Sequence, residues 1–349
     1  MLYLLVLLLT GSVSVLADKR RSQLAVLWVV ILLSAFCGLR GASVGVDTSN
    51  YYNLLSNIRI TGVRYGSDIG FSAVSYVLMK LLGKPEYVLL TYAFFTNCLI
   101  VFRLWDFRDK ASFPLMILIF MVFHYPYTFN IVRQYLAIAV IFWGTRYLER
   151  NCYFRYIVLN AIAVGFHTSA ILCFSFLFLS FGFRCQTKKF KTIGFILAFF
   201  FVVLGVVIFN SNIQKYSYYF LQSSGTIHGM TLLKTLCMLG VVFTNKVLWN
   251  RKLSMSRTGE YVPMGKEVVV AYLTGLVLAS TGMFYTYMNR VGFYFLMYEM
   301  PFWGQIVRVR KNAAFYRLVV AVMVLYAVIQ TVRYDTSGLI NYVSFLQGS

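Results

Sequence analysis

The sequence predicts an all-α integral membrane protein with about twelve transmembrane helices in one domain. The first observation is composition: of 349 residues, 60% are hydrophobic and 12% are charged, and the mean hydropathy is +0.72. Soluble domains are roughly 45–50% apolar and about 25% charged, so this chain has too few charges to cover a soluble surface. The second observation is that apolar runs of about 17–20 residues recur along almost the whole length. Together they exclude a soluble enzyme, a disordered tail and a disulfide-stapled secreted domain.

The third observation concerns the net charge of +21. The lysines and arginines lie in short clusters between the apolar runs, which is typical of cytoplasmic loops under the positive-inside rule. This arrangement explains the charge without nucleic acid, so we expect a lipid bilayer around the chain and no nucleic-acid partner. The six cysteines have no CxxC spacing and lie mostly in apolar stretches. They are interpreted as buried thiols, with neither a disulfide framework nor a metal site.

Twelve candidate spans follow from the apolar runs, and they put both ends of this sequence outside. The first is interpreted as a retained span because its basic residues, 19–21, follow the apolar run, whereas a cleaved signal peptide carries positive charge before it. In chain order the predicted spans are 1–17, 24–39, 86–103, 112–130, 131–148, 156–167, 168–182, 193–209, 231–249, 267–285, 288–307 and 313–331.

Charge decides how two ambiguous segments are placed. Residues 69–82 would cover only about 21 Å as a helix, short of the ~30 Å hydrocarbon core, so we expect a helix that lies on or dips into the outer leaflet. Residues 156–182 hold His167 near the middle and are interpreted as two short helices that meet at an outward turn. With both choices the inner loops hold twenty of the 32 lysines and arginines, and the outer segments hold nine. The region 40–85 is then an outer loop with helices at 48–58 and 69–82.

This topology brings several costly ionisable side chains to one outer face. Asp47 and Asp68 each precede a predicted helix, where a carboxylate either caps free amides or acts as a general base. Arg133 and Arg290 stand at the mouths of spans, where a guanidinium binds phosphate oxygens bidentately. His167 lies at a helix break, which is tolerated at membrane depth only where it is buried in protein or lines a cavity.

Acidic groups and guanidinium groups at an outer membrane face suit a lipid-diphosphate substrate. The arginines hold the diphosphate leaving group, and a carboxylate or histidine takes a proton from an attacking hydroxyl. The residues alone leave open whether Asp47 or His167 is that base. Three histidines without clustered carboxylates predict no metal site, and the lack of a nucleotide-binding glycine loop predicts no nucleotide, so we expect no cofactor and a metal-independent reaction.

Aromatic residues at the same face have two interpretations. They either form an interfacial aromatic belt or stack on sugar rings, and their abundance does not decide between the two. These residues are Tyr51, Tyr52, Tyr285, Tyr287 and Tyr294.

Short motifs spread over most of the chain resemble one known family. The most specific are Phe-Asn-x-x-Arg-Gln at 129–134 and Phe-His-x-Ser-Ala at 166–170, about 30 residues apart. Weaker motifs at 47–52, 68–71, 147–150 and 289–294 complete the set in family order. The set resembles the EpsG-like, Wzy-type family of O-antigen and capsule polymerases. Asp68 stands where that family commonly has glutamate, and Ile69 replaces the proline that follows it.

The resemblance implies a GT-C-like membrane glycosyltransferase of the bacterial inner membrane, with its active site toward the periplasm or outside. Such polymerases, which serve lipopolysaccharide and other polysaccharide biosynthesis, move a growing glycan from undecaprenyl diphosphate to the sugar hydroxyl of a new carrier-linked repeat. In this superfamily the first outer loop often carries a catalytic carboxylate, which fits Asp47. The resemblance also implies a membrane protein partner that regulates chain length.

The predicted site therefore has two sets of residues. The predicted catalytic residues are Asp47 and His167. The predicted substrate-binding residues are Tyr51, Asp68, Arg133, Gln134, Ser169, Arg290 and Tyr294.

Two other functions stay open from the sequence. A ligase that transfers finished polymer to a lipid core shares the outer arginine and histidine chemistry. A flippase or other transporter of lipid-linked oligosaccharide often has repeat-related halves with broken helices at the midplane. The sequence indicates one such break, at His167, and places its acids at the outer surface, which disfavours the transporter.

Overall fold

The computed structural model describes residues 2–63, 68–213, 236, 266–281, 288–309, 313–335 and 338–347. Within these residues the chain is helical and has no β-strand. In this part of the chain, three helices are long and apolar enough to cross a membrane: Leu2–Arg20, Pro85–Asp106 and Lys188–Ile208. The predicted all-α membrane class is confirmed at this level. The predicted span 231–249 lies outside the described residues except for residue 236, and so do Tyr285 and Tyr287.

The helices follow the predicted segments closely, and we number those of the described residues in chain order. The first eight are α1 (Leu2–Arg20), α2 (Gln23–Gly38), α3 (Thr48–Thr61), α4 (Ile69–Leu82), α5 (Pro85–Asp106), α6 (Phe113–Phe123), α7 (Tyr125–Thr128) and α8 (Val132–Glu149). The rest are α9 (Tyr153–Phe166), α10 (Phe174–Arg184), α11 (Lys188–Ile213), α12 (Lys266–Thr281), α13 (Met288–Leu296), α14 (Glu299–Val309) and α15 (Ala313–Tyr334). A 3-10 helix, Thr168–Cys173, joins α9 to α10.

Polar contacts gather the predicted inner loops at one end of the helices, which we call the Arg103 end. The contacts are Arg21 with Asp109, Arg103 with Asp106 and Glu149, Arg146 with Asp106, and Arg184 with Asn151. Helix α8 has 18 residues and is therefore about 27 Å long. Its first turn carries Arg133, so we call the opposite end the Arg133 end.

Helix α4 begins and ends at the Arg133 end. Asp68, just before it, contacts Arg133, and the carbonyl of Gly83, just after it, accepts a hydrogen bond from Arg59 in α3 at 2.7 Å. Helix α5 then starts at the same end, because Leu89 packs in one cluster with Val132 of α8. Helix α4 therefore stays at one end of the molecule. This agrees with the prediction that residues 69–82 do not cross the membrane.

The segment 156–182 is broken at His167, and this prediction is confirmed. Helix α9 ends at Phe166, and His167 has the extended backbone angles φ −155° and ψ 118°. The 3-10 helix and α10 then return to the Arg103 end, where Arg184 contacts Asn151. His167 lies at the turn, at the Arg133 end, next to Asp68.

Two predicted spans that were expected to be continuous are interrupted, so that expectation is wrong. The span 112–130 stops at His124 between α6 and α7, and the span 288–307 stops at 297–298 between α13 and α14. Pro126 follows the first break, and proline supplies no amide for a continuing helix. The two breaks meet, because His124 Nε2 lies 2.8 Å from Glu299 Oε1 and both side chains are buried.

Lipid contact and thiol burial follow the sequence only in part. The apolar face of α11 is largely exposed, with Ile196 and Phe199 among its most accessible residues, as expected for a helix that faces lipid. Five cysteines lie in the described residues and none of these forms a disulfide. Cys37 and Cys173 are buried, but the others are partly exposed, so the expectation of buried thiols is only partly correct.

The predicted outer loop, residues 40–85, is attached to the other helices by a buried arginine. Arg40 is 1% exposed. Its Nε donates to the Thr48 hydroxyl at 3.0 Å and one terminal nitrogen donates to the Phe129 carbonyl at 3.2 Å. The amide of Val46 donates to the Asn130 side chain at 2.8 Å. These bonds hold the start of α3 against the junction of α7 and α8, beside Arg133.

Candidate functional site

The candidate site is built around the carboxylate of Asp68, where α4 begins. Asp68 has a left-handed backbone, φ 65° and ψ 39°, and its side chain makes no capping bond to its own helix. The interpretation of this side chain as a cap of 69–82 is therefore wrong. Instead, Oδ2 lies 3.0 Å from a terminal nitrogen of Arg133, and Oδ1 accepts from the Thr168 amide at 3.0 Å. Oδ1 also lies 3.3 Å from Nδ1 of His167. One carboxylate thus joins α4, α8 and the break after α9.

The ionisation of Asp68 follows from these contacts. Its side chain is only 7% exposed, and burial raises the pKa of a carboxyl group. The hydrogen bond and charge of His167, the charge of Arg133 and the Thr168 amide act in the opposite direction and outweigh burial, so the pKa of Asp68 lies below its ordinary value. Asp68 is therefore a stable anion at neutral pH and is poorly suited to accept a proton.

Arg133 lies in the first turn of α8 and remains accessible. Its guanidinium packs over the rings of Tyr51, at 5.9 Å, and Phe71, at 5.6 Å, while its side chain is 35% exposed. The hydroxyl of Tyr51 also accepts from the Arg133 amide at 3.4 Å. Two aromatic faces and one carboxylate therefore position the guanidinium, and its side chain remains partly accessible to an anionic ligand.

His167 is oriented by Asp68 and is 21% exposed. With Nδ1 directed at the carboxylate, Nε2 is the nitrogen that remains for a ligand. Within the described residues, Nε2 forms no hydrogen bond to the protein. A carboxylate on one imidazole nitrogen fixes the ring and its tautomer, which is the arrangement of an oriented general base.

Four further predicted residues lie around this centre. The Ser169 hydroxyl, in the 3-10 helix, is 3.2 Å from the Tyr294 hydroxyl of α13, and both residues are buried. The Gln134 side chain donates to the backbone carbonyl of Arg290 at 2.7 Å. These bonds attach α13 to both sides of the centre. The carbonyl of Arg290 is fixed in this way, and its side chain is partly buried.

Asp47 is not joined to this centre in the described residues. It occupies the N-cap position of α3 but makes no side-chain capping bond, and its carboxylate contacts Asn50 at a marginal 3.5 Å. Its backbone carbonyl accepts from the Tyr51 amide, so it lies one helical turn before the ring that supports Arg133. The structure thus brings Asp68, Arg133 and His167 into contact and leaves Asp47 nearby at the partly exposed start of α3.

Comparison with protein families gives one match. The EpsG family matches residues 23–344, which is nearly the whole chain. The chain belongs to the EpsG family. Members of the EpsG family are Wzy-type polymerase-like, so the chain is a membrane-embedded, glycosyltransferase-like protein of polysaccharide biosynthesis. No curated protein and no solved structure matches it.

A close approach of two glycines positions the EpsG-family motifs at this centre. A Cβ built on Gly70 of α4 would lie 2.8 Å from the backbone carbon of Gly165 in α9. These glycines lie two residues from Asp68 and from His167, respectively. The tight crossing therefore fixes how close the Asp68 and His167 side chains can come.

A buried polar pair near the site was missed by sequence reasoning. His124 and Glu299 are each 1% exposed, and Nδ1 of His124 lies 3.2 Å from the hydroxyl of Tyr135, two residues after Arg133. The available signals were a glutamate within an apolar run and a histidine beside Tyr125-Pro126. An ionisable side chain within a span is by default a functional candidate, but the two partners are 175 residues apart and the sequence does not show their contact.

The described residues contain no group of three or more histidine, cysteine, aspartate or glutamate side chains that could hold a metal ion. The polar groups of the centre are instead a guanidinium, an imidazole and a shared carboxylate. Such a set can bind a phosphate oxygen and accept a proton from a hydroxyl group in the same place.

Proposed function

We propose that this EpsG-family chain is a polysaccharide polymerase. It transfers a growing glycan from undecaprenyl diphosphate to a sugar hydroxyl of a new undecaprenyl-diphosphate-linked repeat, at the outer face of the bacterial inner membrane. The observation that carries this proposal is the Asp68 carboxylate, which holds an accessible guanidinium and an accessible imidazole together. A phosphate-binding group beside a proton acceptor is what transfer from a diphosphate to a hydroxyl requires.

In the proposed reaction, the acceptor hydroxyl attacks the anomeric carbon that carries the diphosphate. The bond from that carbon to the diphosphate oxygen breaks, and a glycosidic bond forms. Arg133 binds the diphosphate and stabilises the charge that it gains on leaving. The hydroxyl proton passes to Nε2 of His167, while Asp68 keeps the imidazole oriented and stabilises its positive charge.

Asp47 is the other candidate base, and the geometry favours His167. The imidazole lies within the Arg133 centre, whereas the Asp47 carboxylate lies at the start of α3 without a contact to that centre in the described residues. We expect His167→Gln to abolish elongation and Asp47→Asn to retain a measurable rate. The reverse order would make Asp47 the base and leave His167 a positioning residue.

The remaining features of the proposal extend the family assignment. We place the Arg133 end toward the periplasm or outside, and we expect about twelve crossings in a GT-C-like arrangement. The Arg103 end, with its lysines and arginines, then faces the cytoplasm under the positive-inside rule. We further propose a chain-length-regulating membrane protein as partner. The polymer, whether O-antigen, capsule or exopolysaccharide, and its sugars depend on the repeat that is supplied.

The test is elongation by the purified chain. The protein is reconstituted in liposomes and supplied with lipid-linked repeats extracted from a strain that lacks it. We expect glycans of two and more repeats, released undecaprenyl diphosphate, and an unchanged rate in chelator. Loss of activity in chelator that is restored by a divalent cation would overturn the metal-independent mechanism.

A transporter remains the second candidate, because of the breaks at His124 and at 297–298. The sequence argument against a transporter rested in part on a single break at His167, and that part no longer holds. Translocation of supplied repeats across the liposome without elongation would establish the transporter and remove the polymerase. Transfer of finished polymer to a lipid core without repeat addition would instead establish the ligase.

A further inference from the structure

One aromatic side chain is exposed where its surroundings are buried. Among the described residues from Ala111 to Leu148, Tyr127 is the only exposed one, and it is 45% exposed. It belongs to α7, in the break between α6 and α8, and the neighbouring Tyr125 and Phe129 are completely buried. The ring of Tyr127 is therefore accessible, although the residues on either side of the break are buried.

The inner side of this ring is packed and rigid. Tyr127 lies 4.7 Å from the ring of Phe293 in α13, measured between centroids. Phe293 is buried, and its ring also contacts His124 at 6.4 Å and Tyr135 at 5.9 Å. The His124 contact with Glu299 ties these rings to α14. One side of the Tyr127 ring is thus exposed, and the other packs against aromatic rings that are held in place.

A positive charge lies beside this face. Arg290 is three residues before Phe293 on α13, so both side chains lie on the same side of the helix. The carbonyl of Arg290 is held by Gln134, the residue after Arg133. The Arg290 group therefore adjoins the Arg133 centre and is separate from it.

We propose that Tyr127, Phe293 and Arg290 form a carbohydrate subsite for one of the two lipid-linked substrates. The accessible ring of Tyr127 packs against the apolar face of a pyranose, and Arg290 binds the diphosphate attached to that sugar. Phe293 packs against the buried side of the Tyr127 ring and holds it in place. This inference rests on the proposed polymerase, whose reaction needs two diphosphate-linked substrates at once and hence a second cationic group beside Arg133.

The experiment measures elongation by the reconstituted full chain over a range of concentrations of extracted lipid-linked repeats. Tyr127→Phe keeps the ring, and Tyr127→Leu keeps apolar bulk but removes the aromatic face. The matched control is Tyr87→Leu, since Tyr87 is 41% exposed and also has one aromatic neighbour, Phe345 at 6.0 Å. Tyr87 lies in the first turn of α5, at the same end of the molecule.

We expect Tyr127→Leu to raise the half-saturating repeat concentration by about fivefold with a smaller change in the maximal rate, which is the loss of one aromatic contact. Tyr87→Leu is expected to match wild type, and Tyr127→Phe, which keeps the ring, is expected to raise the half-saturating concentration less than Tyr127→Leu does. Equal behaviour of Tyr127→Leu and Tyr87→Leu in an active preparation would overturn the subsite and leave the polymerase standing.

A second measurement decides the matter if Tyr127→Leu does not fold. A benzophenone amino acid at position 127 is expected to crosslink radiolabelled lipid-linked repeats, and the same group at position 87 is not. Equal crosslinking at both positions would overturn the subsite. If crosslinking is confined to position 127 but the wild-type chain never elongates the repeats, the binding site stands and the proposed polymerase is overturned.

Discussion

Asp68 holds the candidate site together at the scale of single residues. Its two oxygens receive a guanidinium, an imidazole and a backbone amide from three separate segments. The sequence predicted Asp68, Arg133 and His167 as functional because ionisable groups near span ends are costly. It did not predict their mutual contact, because a cap of 69–82 was one of the open interpretations of Asp68 and the sequence does not reveal its left-handed backbone.

The anionic state of Asp68 predicts a pH-dependent effect on stability. A carboxyl whose pKa is lowered by folding stabilises the folded state above its unfolded pKa, about 3.9, and loses that effect as the pH falls through the folded value. We expect Asp68→Asn to lower the free energy of unfolding by about 1–3 kcal/mol at pH 7. Thermal unfolding in detergent should show a constant difference from wild type between pH 6 and 8, and a shrinking difference below about pH 4.

The control for this measurement is Asp47→Asn. Its carboxylate has one marginal contact in the described residues, so its replacement is expected to leave the unfolding temperature unchanged. Equal destabilisation by both substitutions would contradict the special position of Asp68.

Other single residues show which members of the site can be predicted from the sequence and which cannot. Ser169 and Tyr294 were predicted from the motifs and do lie together, 125 residues apart in sequence. Glu299 was not predicted, because within an apolar run nothing in the pattern reveals the buried histidine opposite it. Tyr127 was also missed, since the exposure of a tyrosine at a break depends on tertiary packing.

Breaks in helices decide the architecture at the scale of elements. The break at His167 was predicted because a continuous 156–182 would have reversed the side of every later basic loop. The breaks at His124 and at 297–298 were not predicted, because interrupting a span without reversing its direction leaves the loop charges unchanged. Hydropathy cannot separate a broken crossing from a continuous one when both pieces are apolar. The contact between His124 and Glu299 shows how the two breaks complement each other.

The crossing of α4 and α9 gives a prediction at this scale. Alanine at Gly70 would place a methyl group 2.8 Å from the Gly165 backbone, so the helices must separate and the contact of Asp68 with His167 must lengthen. We expect Gly70→Ala to destabilise the fold by about 1–3 kcal/mol, as overpacking does, and to reduce elongation strongly. Elongation and thermal unfolding measured on one purified sample check both effects.

Gly165→Ala is the matched control from the other side of the same crossing. Its methyl group would lie 3.6 Å from the Gly70 Cα, which is an ordinary contact distance. Near wild-type elongation is expected. A greater loss from Gly165→Ala than from Gly70→Ala would show that the crossing is packed differently.

Charge organises the protein at the scale of the whole molecule. The count of lysines and arginines in each loop predicted which segments share an end. The contacts of Arg21 with Asp109 and of Arg146 with Asp106 join loops that this count assigned to one side. Grouping the loops by their charge predicts these contacts because the total charge of a loop is insensitive to exact helix bounds. The side of the membrane that each end faces is a prediction from the same rule.

Single cysteines test this orientation in a background without native cysteines. Asn53 in α3 and Lys189 in α11 are both exposed and belong to opposite ends. We expect a membrane-impermeant maleimide to label Asn53→Cys in intact spheroplasts and Lys189→Cys only after permeabilisation. Labelling in the opposite order would place the Arg133 centre in the cytoplasm and remove the proposed outer reaction.

The central claim is that this EpsG-family chain polymerises lipid-linked repeats with the Arg133 centre. The most direct test is the surface glycan ladder of a strain that lacks the gene and any second polymerase. The strain is complemented with wild type, with Arg133→Ala, or with Arg59→Ala, whose arginine lies at the same end and bonds the Gly83 carbonyl. The account predicts single repeats without the gene, a full ladder with wild type and Arg59→Ala, and single repeats with membrane-inserted Arg133→Ala. A full ladder in the deletion strain, or full rescue by Arg133→Ala, would contradict it.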